Sequence, residues 1–287
     1  MTVVQPTKVS RPSALRDRSG LVILNGLKGW LKGLLYTVYT RRLRAKIAAG
    51  PMPQHIAVVM DGNRRYAERL GMSDSSAGYW LGTEKVNEFL RWNDTVGIPV
   101  VTLWILSLDN MQRETQDLHG LMDVLEEGLP NLRRLQATLR HPRRIKACGR
   151  TDSLPQPVRE ALQQLEHETA GHGPYTLNIA VGYGGREEIV DAVKELLRRE
   201  ANAGKSARDV AQSLTPEAIG EHLYFNSSPD PDLIIRTSGE VRMSGFMLWE
   251  SVYSEYYFCD ALWPAFRELD FLRAIRSYQD RKRRFGQ

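Results

Sequence analysis

Short runs rich in β-branched and aliphatic residues recur along this chain, each followed by a longer stretch of helical periodicity. No other feature constrains the fold as much. The first run is His55 to Met60, and others lie at Val100 to Leu106, Arg144 to Ala147, Tyr175 to Val181, Asp232 to Arg236 and Glu255 to Phe258. Between them, apolar residues at helical spacing predict helices over 83–96, 116–140, 157–169, 186–203 and 216–225. The first ends at Gly97. The second is expected to kink or break at Gly128-Leu129-Pro130, because proline cannot donate its backbone N–H. Strands separated by helices of this length cannot close as hairpins. They pair through crossovers, which predicts an α/β fold with a mostly parallel sheet covered on both faces.

In such a sheet, ligands bind beyond the carboxyl ends of the strands, so the residues just past each run carry the chemistry. After the first come Asp61-Gly62-Asn63-Arg64-Arg65: a carboxylate, a flexible backbone, an amide and two guanidiniums. A carboxylate there can hold Mg²⁺, and arginines with backbone N–H groups can hold phosphate. After the second run come Ser107-Leu108-Asp109-Asn110-Met111-Gln112-Arg113. After the fourth, Gly182-Tyr183-Gly184-Gly185 matches neither phosphate-loop pattern and reads best as a structural tight turn. After the fifth, Arg236 to Phe246 holds two arginines and several hydroxyls, an anion site in outline. Glu255 lies in an aromatic segment at a strand start, where it is either an exposed carboxylate or a buried one that is ion-paired or metal-bound. No Ser-His-Asp or Cys-His set can be placed, and none of the six histidines has ligand-like spacing. The chemistry suggested is phosphate binding with Mg²⁺, without a covalent nucleophile.

Residues 1–20 are polar and read as a disordered tail; residues 21–50 form an arm distinct from a main domain over 51–287. In 21–49, leucines and aromatics recur at helical spacing beside lysines and arginines, with possible breaks at Gly26, Gly29 and Gly33. Such a basic amphipathic helix is either a membrane-surface anchor or a helix packed on its own domain. The net charge of +5 suits anionic partners. No apolar run reaches the ~20 residues of a membrane span. Two cysteines, Cys148 and Cys259, make no disulfide framework, which fits a reducing cytoplasm. No stacking aromatics interleave with the basic Arg281-Lys282-Arg283-Arg284, so nucleic acid is not an expected partner. That tail reads as a solvated end or a flap over a diphosphate.

Four motifs together resemble the cis-prenyltransferases, the Z-type isoprenyl diphosphate synthases that include undecaprenyl diphosphate synthase. They are H-I-A-V-V-M-D-G-N-R-R at 55–65, S-L-D-N-M-Q-R at 107–113, V-G-Y-G-G-R-E-E-I at 181–189 and P-D-L-I-I-R-T-S-G-E-V-R-M-S-G-F at 231–246. The resemblance spans about 50–285. It implies a six-stranded sheet, a homodimer, and condensation of isopentenyl diphosphate with an allylic diphosphate to make a Z double bond. By position it implies Asp61 as the Mg²⁺ ligand at the allylic diphosphate, with Glu255 helping to place Mg²⁺ near the isopentenyl site. Gly62, Asn63, Arg65 and Arg113 would grip the allylic diphosphate. Arg236, Arg242 and Ser244 would grip the isopentenyl diphosphate. Arg64, Tyr66, Asp109, Met111 and Met243 complete the substrate-binding set, and Asn110 and Ser107 would assist proton removal.

The chain departs from the common bacterial pattern. Asp74 and Gly78 stand where the family carries Arg and His, and Met111, Leu106 and Val241 replace an aromatic, a Phe and a His. Asp74 would repel a diphosphate. Similar replacements occur in the actinobacterial short-chain Z-farnesyl diphosphate synthases, so geranyl diphosphate is the expected primer and a product of about three isoprene units is expected, with Ile105 and Leu106 flooring the tunnel. Competing readings are a long-chain synthase, a synthase of branched products, and a non-catalytic partner subunit. The intact Asp61, Asn63, Asn110, Arg236, Arg242 and Glu255 weigh against the last. The expected location is cytoplasmic, with the arm as the candidate contact to the inner face of the membrane.

Overall fold

The computed structural model describes residues 17–72, 74–112 and 115–281. The tail residues 1–16, Arg113, and Lys282 to Gln287 lie outside the described residues. The chain divides into two units at Lys46/Ile47.

The first unit is built on one helix, α1 (Asp17–Ala48), which runs unbroken through Gly26, Gly29 and Gly33. Leu34, Leu35 and Val38 are exposed along it. Among the described residues, no helix is long and apolar enough to cross a membrane.

The second unit alternates strands and helices: β1 (His55–Val59), α2 (Asn63–Arg69), α3 (Ser75–Val96), β2 (Val100–Ser107), α4 (Thr115–Gln136), β3 (Arg144–Cys148), α5 (Gln156–Thr169), β4 (Thr176–Tyr183), α6 (Gly185–Asn202), α7 (Ala207–Ser213), α8 (Pro216–Gly220), β5 (Leu233–Arg236), β6 (Glu255–Phe258) and α9 (Glu268–Asp280). The six strands form one sheet in the order β3-β4-β2-β1-β5-β6. Every strand pair is parallel. All five residues of β1 are buried, as an apolar run covered on both faces should be.

Two features of the sheet matter for the crevice at its carboxyl end. First, β1 lies between β2 and β5, with Val59 level with Trp104 on one side and Arg236 on the other. The strand order reverses there, so the loops after β1, β2 and β5 open onto one crevice. Second, β2 is irregular against β4 between Trp104 and Ser107. A bulge interrupts strict alternation and re-aims the side chains around it.

Helix bounds differ from expectation where packing overrides local propensity. α3 starts at Ser75 rather than 83, capped by the Asp74 carboxylate, which accepts from the Ser76 N–H at 2.9 Å. Gly78 and Gly82 look like breakers but sit inside α3 where it crosses α2. A Cβ on Gly78 would lie 2.3 Å from the Asn63 carbonyl oxygen, and one on Gly82 2.4 Å from Asn63 Oδ1. α4 continues through Pro130, held by the buried face of Leu121, Leu125, Leu129, Leu132 and Leu135. The helix expected over 216–225 stops at Gly220, and α7 and α9 were not anticipated.

His55, at the amino end of β1, is a core residue. Its Nδ1 lies 2.6 Å from the Pro229 carbonyl and its Nε2 2.7 Å from Thr102 Oγ1. Burial pushes its pKa down to about 4, so it stays neutral.

Candidate active site

The β1 chain leaves the sheet at Met60 and turns at Gly62, whose φ of +106° is a left-handed conformation. A Cβ there would also meet Leu262 Cδ2 at 2.6 Å. The turn fixes Asp61 where it gathers donors from two directions. Arg65, one helical turn on, donates to Oδ1 at 3.0 Å. From β5, Arg236 donates to Oδ2 at 3.0 Å, and the Ser238 hydroxyl donates to the same oxygen at 2.9 Å. The backbone is held too: the Asp61 carbonyl accepts from Thr237 Oγ1 at 2.8 Å and from the Trp263 N–H at 3.0 Å. Burial pushes the Asp61 carboxyl up, but these hydrogen bonds and the Arg65 charge outweigh it and hold the group below the usual carboxylate range. Asp61 is therefore ionised.

Arg236 is almost wholly buried, with 5% of its surface exposed. Its other terminal nitrogen donates to the Arg242 carbonyl at 2.6 Å and to Ser244 Oγ at 2.7 Å. One guanidinium thus ties Asp61 to the loop beyond β5. Ser238 (φ 87°), Ser244 (φ 52°) and Met247 (φ 48°) adopt left-handed conformations without being glycine. Such backbone persists only where its surroundings over-determine it. Arg242 is exposed and pairs with Glu240 at 2.7 Å, and Glu240 also reaches Arg65 at 3.5 Å. One acid therefore stands between the two exposed guanidiniums.

At the end of β2, Ser107 Oγ accepts the Asn110 N–H at 3.1 Å and so caps the short turn carrying Asn110. Asp109 lies exposed in the same turn. Arg64 pairs with Asp117 at 2.8 Å.

These groups ring the mouth of a cavity of about 650 Å³. Asp61, Gly62, Asn63, Arg64, Arg65, Ser107, Asp109, Asn110, Arg236, Arg242 and Ser244 all line it. Away from the mouth the lining turns apolar: Tyr79 and Val86 from α3, Leu121, Val124, Leu125, Leu129 and Leu132 from α4, and Trp104, Ile105 and Leu106 in succession from β2. A cavity with a cationic rim and an apolar body takes an amphiphile with an anionic head.

Four residues of the expected set are not among those that line the cavity. Tyr66, Met111 and Met243 are not among the lining residues; Met111 lies against Gly182 and the Ser153 hydroxyl. Glu255 opens β6 level with Leu233, at the amino end of the strands, whereas Arg236 and Asp61 meet at the carboxyl end. It ion-pairs with Arg281 there. Within one chain the sheet register therefore separates Glu255 from Asp61. Arg113 lies outside the described residues. The Gly182–Gly185 turn is a packing element, since a Cβ on Gly185 would lie 2.5 Å from the Gly245 carbonyl oxygen. Trp104, Glu240, Ser238 and the α4 leucines were not singled out in the sequence. Ser238 and Glu240, each two residues from an arginine of the loop after β5, carried a local signal.

Among the described residues, no three His, Cys, Asp or Glu side chains converge as a metal cage. The chemistry of Asp61 nevertheless fits Mg²⁺, which is commonly held by one or two carboxylates together with substrate phosphates. A carboxylate offers about four lone-pair sites. Three donors occupy Asp61, and Arg65 is exposed enough to turn away toward an anion.

A family model described as "Putative undecaprenyl diphosphate synthase" matches residues 59–286. An isoprenyl transferase of Thermus thermophilus is 49% identical over 252 residues, 88% of this chain and 95% of that protein. A (2Z,6E)-farnesyl diphosphate synthase of Thermobifida fusca is 46% identical over 258 residues, 90% of this chain and 99% of that protein. Among solved structures, the lavandulyl diphosphate synthase of Lavandula x intermedia in complex with dimethylallyl diphosphate superposes with a TM-score of 0.77 at 30% identity. That match covers 82% of this chain and 99% of the other.

Proposed function

The chain belongs to the undecaprenyl diphosphate synthase family of prenyltransferases, and on that premise we propose that it condenses isopentenyl diphosphate with an allylic diphosphate, geranyl diphosphate foremost, to give a short-chain Z-prenyl diphosphate such as (2Z,6E)-farnesyl diphosphate. The observation that carries this reading is the cavity with Asp61 and the guanidiniums of Arg64, Arg65, Arg236 and Arg242 at its mouth and aliphatic side chains below. Its modest size suits a short chain, and the relative from Thermobifida fusca bears the name of such an enzyme.

The residues divide the work by position. The allylic diphosphate lies against the Gly62–Asn63 turn and Arg65, with its chain in the apolar body. Mg²⁺ held by Asp61 and diphosphate oxygens would neutralise the charge that develops on the leaving group. The allylic C–O bond breaks, its electron pair departing with diphosphate. Arg65 is placed to track that charge, and a guanidinium in a partly dry site stabilises it strongly. Arg242 and Ser244 hold the second diphosphate, and Arg236 fixes both residues relative to Asp61. The isopentenyl double bond is thereby kept beside the forming cation. Its π electrons make the new C–C bond, and a proton leaves the adjacent carbon as the new double bond forms. Asn110, set by Ser107, is too weak a base to take that proton. Its amide orients a water or a diphosphate oxygen that does.

Purified protein with Mg²⁺ and labelled isopentenyl diphosphate, offered dimethylallyl, geranyl or farnesyl diphosphate in turn, tests the reading. A C15 product from geranyl diphosphate is expected. Products beyond about C30 from farnesyl diphosphate would replace the short-chain reading with a long-chain one, and no product from any primer would leave a non-catalytic subunit. The proposal extends to a cytoplasmic homodimer that meets the membrane through residues 21–49, where exposed leucines on α1 precede Arg41, Arg42 and Arg44. Removing residues 1–49 should abolish binding to anionic liposomes while sparing activity in detergent. Undiminished binding would assign α1 a purely structural role.

A further inference from the structure

Behind the loop that carries Arg242 and Ser244 lies a buried pair of acids that the chemistry above does not use. Glu188, in the first turn of α6, is 1% exposed, and Glu250, three residues beyond Met247, is 5% exposed. Charged groups are rarely buried without a partner of opposite charge. The Tyr183 hydroxyl donates to Glu188 Oε2 at 2.6 Å, and the Tyr224 N–H donates to Oε1 at 2.9 Å. Both Glu188 oxygens are thus acceptors. Glu250 receives no N–H or O–H donor from another described residue. The group it faces is the Glu188 carboxyl. Two acceptors close on each other only when one carries a proton, and the donors on Glu188 put that proton on Glu250.

The pair is joined to the loop at several points. The Met247 N–H donates to the Tyr183 hydroxyl at 3.0 Å, so one phenol links Glu188 to the left-handed Met247. The Gly185 N–H donates to the Gly245 carbonyl at 3.0 Å. Phe246 stacks on Trp104, with ring centroids 4.9 Å apart. These links brace the strained backbone between Ser244 and Met247 from the sheet side.

We propose that Glu188 and Glu250 share one proton as a positioning pair that, through Tyr183, holds the 242–247 loop in the shape that binds isopentenyl diphosphate. The proposal rests on the assignment of Arg242 and Ser244 to that diphosphate. Burial raises both acids well above the usual carboxylate range, so the shared proton is lost only above neutral pH. Among the described residues, the titratable groups next to the two acids are Asp230 before β5, Tyr183 on β4, Tyr224 after α8 and Cys148 on β3, none of them a cation; Lys146 on β3 and Glu166 on α5 act on Cys148. Asp230 adds repulsion, burial pushes the Cys148 thiol up, and Tyr183 is raised by burial and by Glu188. When Glu250 ionises, two adjacent carboxylates repel in a dry site and the Met247–Tyr183 link loosens.

The test is the pH dependence of steady-state kinetics on the full chain, with each substrate varied at saturation of the other. In the unmodified protein, KM for isopentenyl diphosphate should rise about tenfold from about pH 7.5 to 9 as the proton is lost. Over the same range kcat should change less than about twofold and KM for geranyl diphosphate should stay flat. Glu250→Gln offers Glu188 an amide N–H that cannot ionise, so the alkaline rise should vanish. Arg242→Ala serves as the control for the assignment, raising KM for isopentenyl diphosphate at least about tenfold at every pH. An unchanged KM in Arg242→Ala overturns the loop assignment. If Arg242→Ala behaves as expected but Glu250→Gln keeps the alkaline rise, the proton-sharing pair is overturned. Infrared difference spectra at neutral pH give a readout independent of turnover. A protonated-carboxyl C=O band present in the unmodified protein should be lost in Glu250→Gln, and its absence from both sinks the pair.

Discussion

Asp61→Asn should lower kcat by about 10³-fold, the order of loss seen when a group stabilising developing charge is removed. The amide keeps the size of the carboxylate and its oxygen can still accept from Arg236 and Ser238, so the fall in melting temperature should be smaller than in Asp61→Ala, although both variants leave the buried Arg236 charge unanswered. The change removes the negative charge that would hold Mg²⁺ at the leaving diphosphate. Asp61→Ala is the worse probe, although it is the obvious one. Arg236 is buried and its charge is answered by Asp61, and breaking a buried pair by deleting one partner costs about 3–5 kcal/mol. The alanine variant should therefore unfold earlier as well as fail to turn over. Thermal melts monitored by circular dichroism, with initial rates on the same samples, separate the two effects. Near-parental Mg²⁺-dependent turnover in Asp61→Asn would falsify the role given to this residue.

Ile105→Ala should lengthen the product by one or more isoprene units, read by reverse-phase chromatography of the dephosphorylated chains. The bulge in β2 brings Trp104, Ile105 and Leu106 to the same cavity. Of the three, Ile105 is the half-buried one with no stacking partner to disturb. Leu106 is 1% exposed, and truncating such a residue costs about 2–5 kcal/mol. Trp104 is tied into the aromatic stack with Phe246 and Tyr183, so its removal would also disturb the loop after β5. If Ile105→Ala leaves product length unchanged, the floor belongs to the α4 leucines.

The parallel sheet was legible because each strand is an apolar run of the right length between helical stretches, and all six appear within two residues of their expected bounds. The residues around Asp61 were legible for a related reason: they come directly after strands, and a parallel sheet gathers such residues at one end. Features that depend on two distant segments were not. Strict alternation would set Trp104 and Leu106 on the face opposite Ile105, and the bulge that brings all three to one cavity has no local signal. The pairing of Glu188 with Glu250 joins α6 to the loop after Trp249, and nothing local marks it. Glu188 reads as an ordinary first-turn acid. Glu255 is the instructive case. Motif position places it at the metal, yet the sequence already had it opening a strand, and the carboxyl-end rule puts the opening of a parallel strand away from Asp61 in the same chain.

The crossing of α2 and α3 has a consequence for how this chain can change. By resemblance a histidine is expected where this protein has Gly78, and the first side-chain carbon at that position would sit 2.3 Å from a backbone oxygen of α2. Gly78→His would therefore not simply add a contact to the rim. It would wedge two helices apart and displace Asn63 from the rim. At this position any side chain larger than hydrogen demands a rebuilt helix crossing, so no single substitution there is neutral.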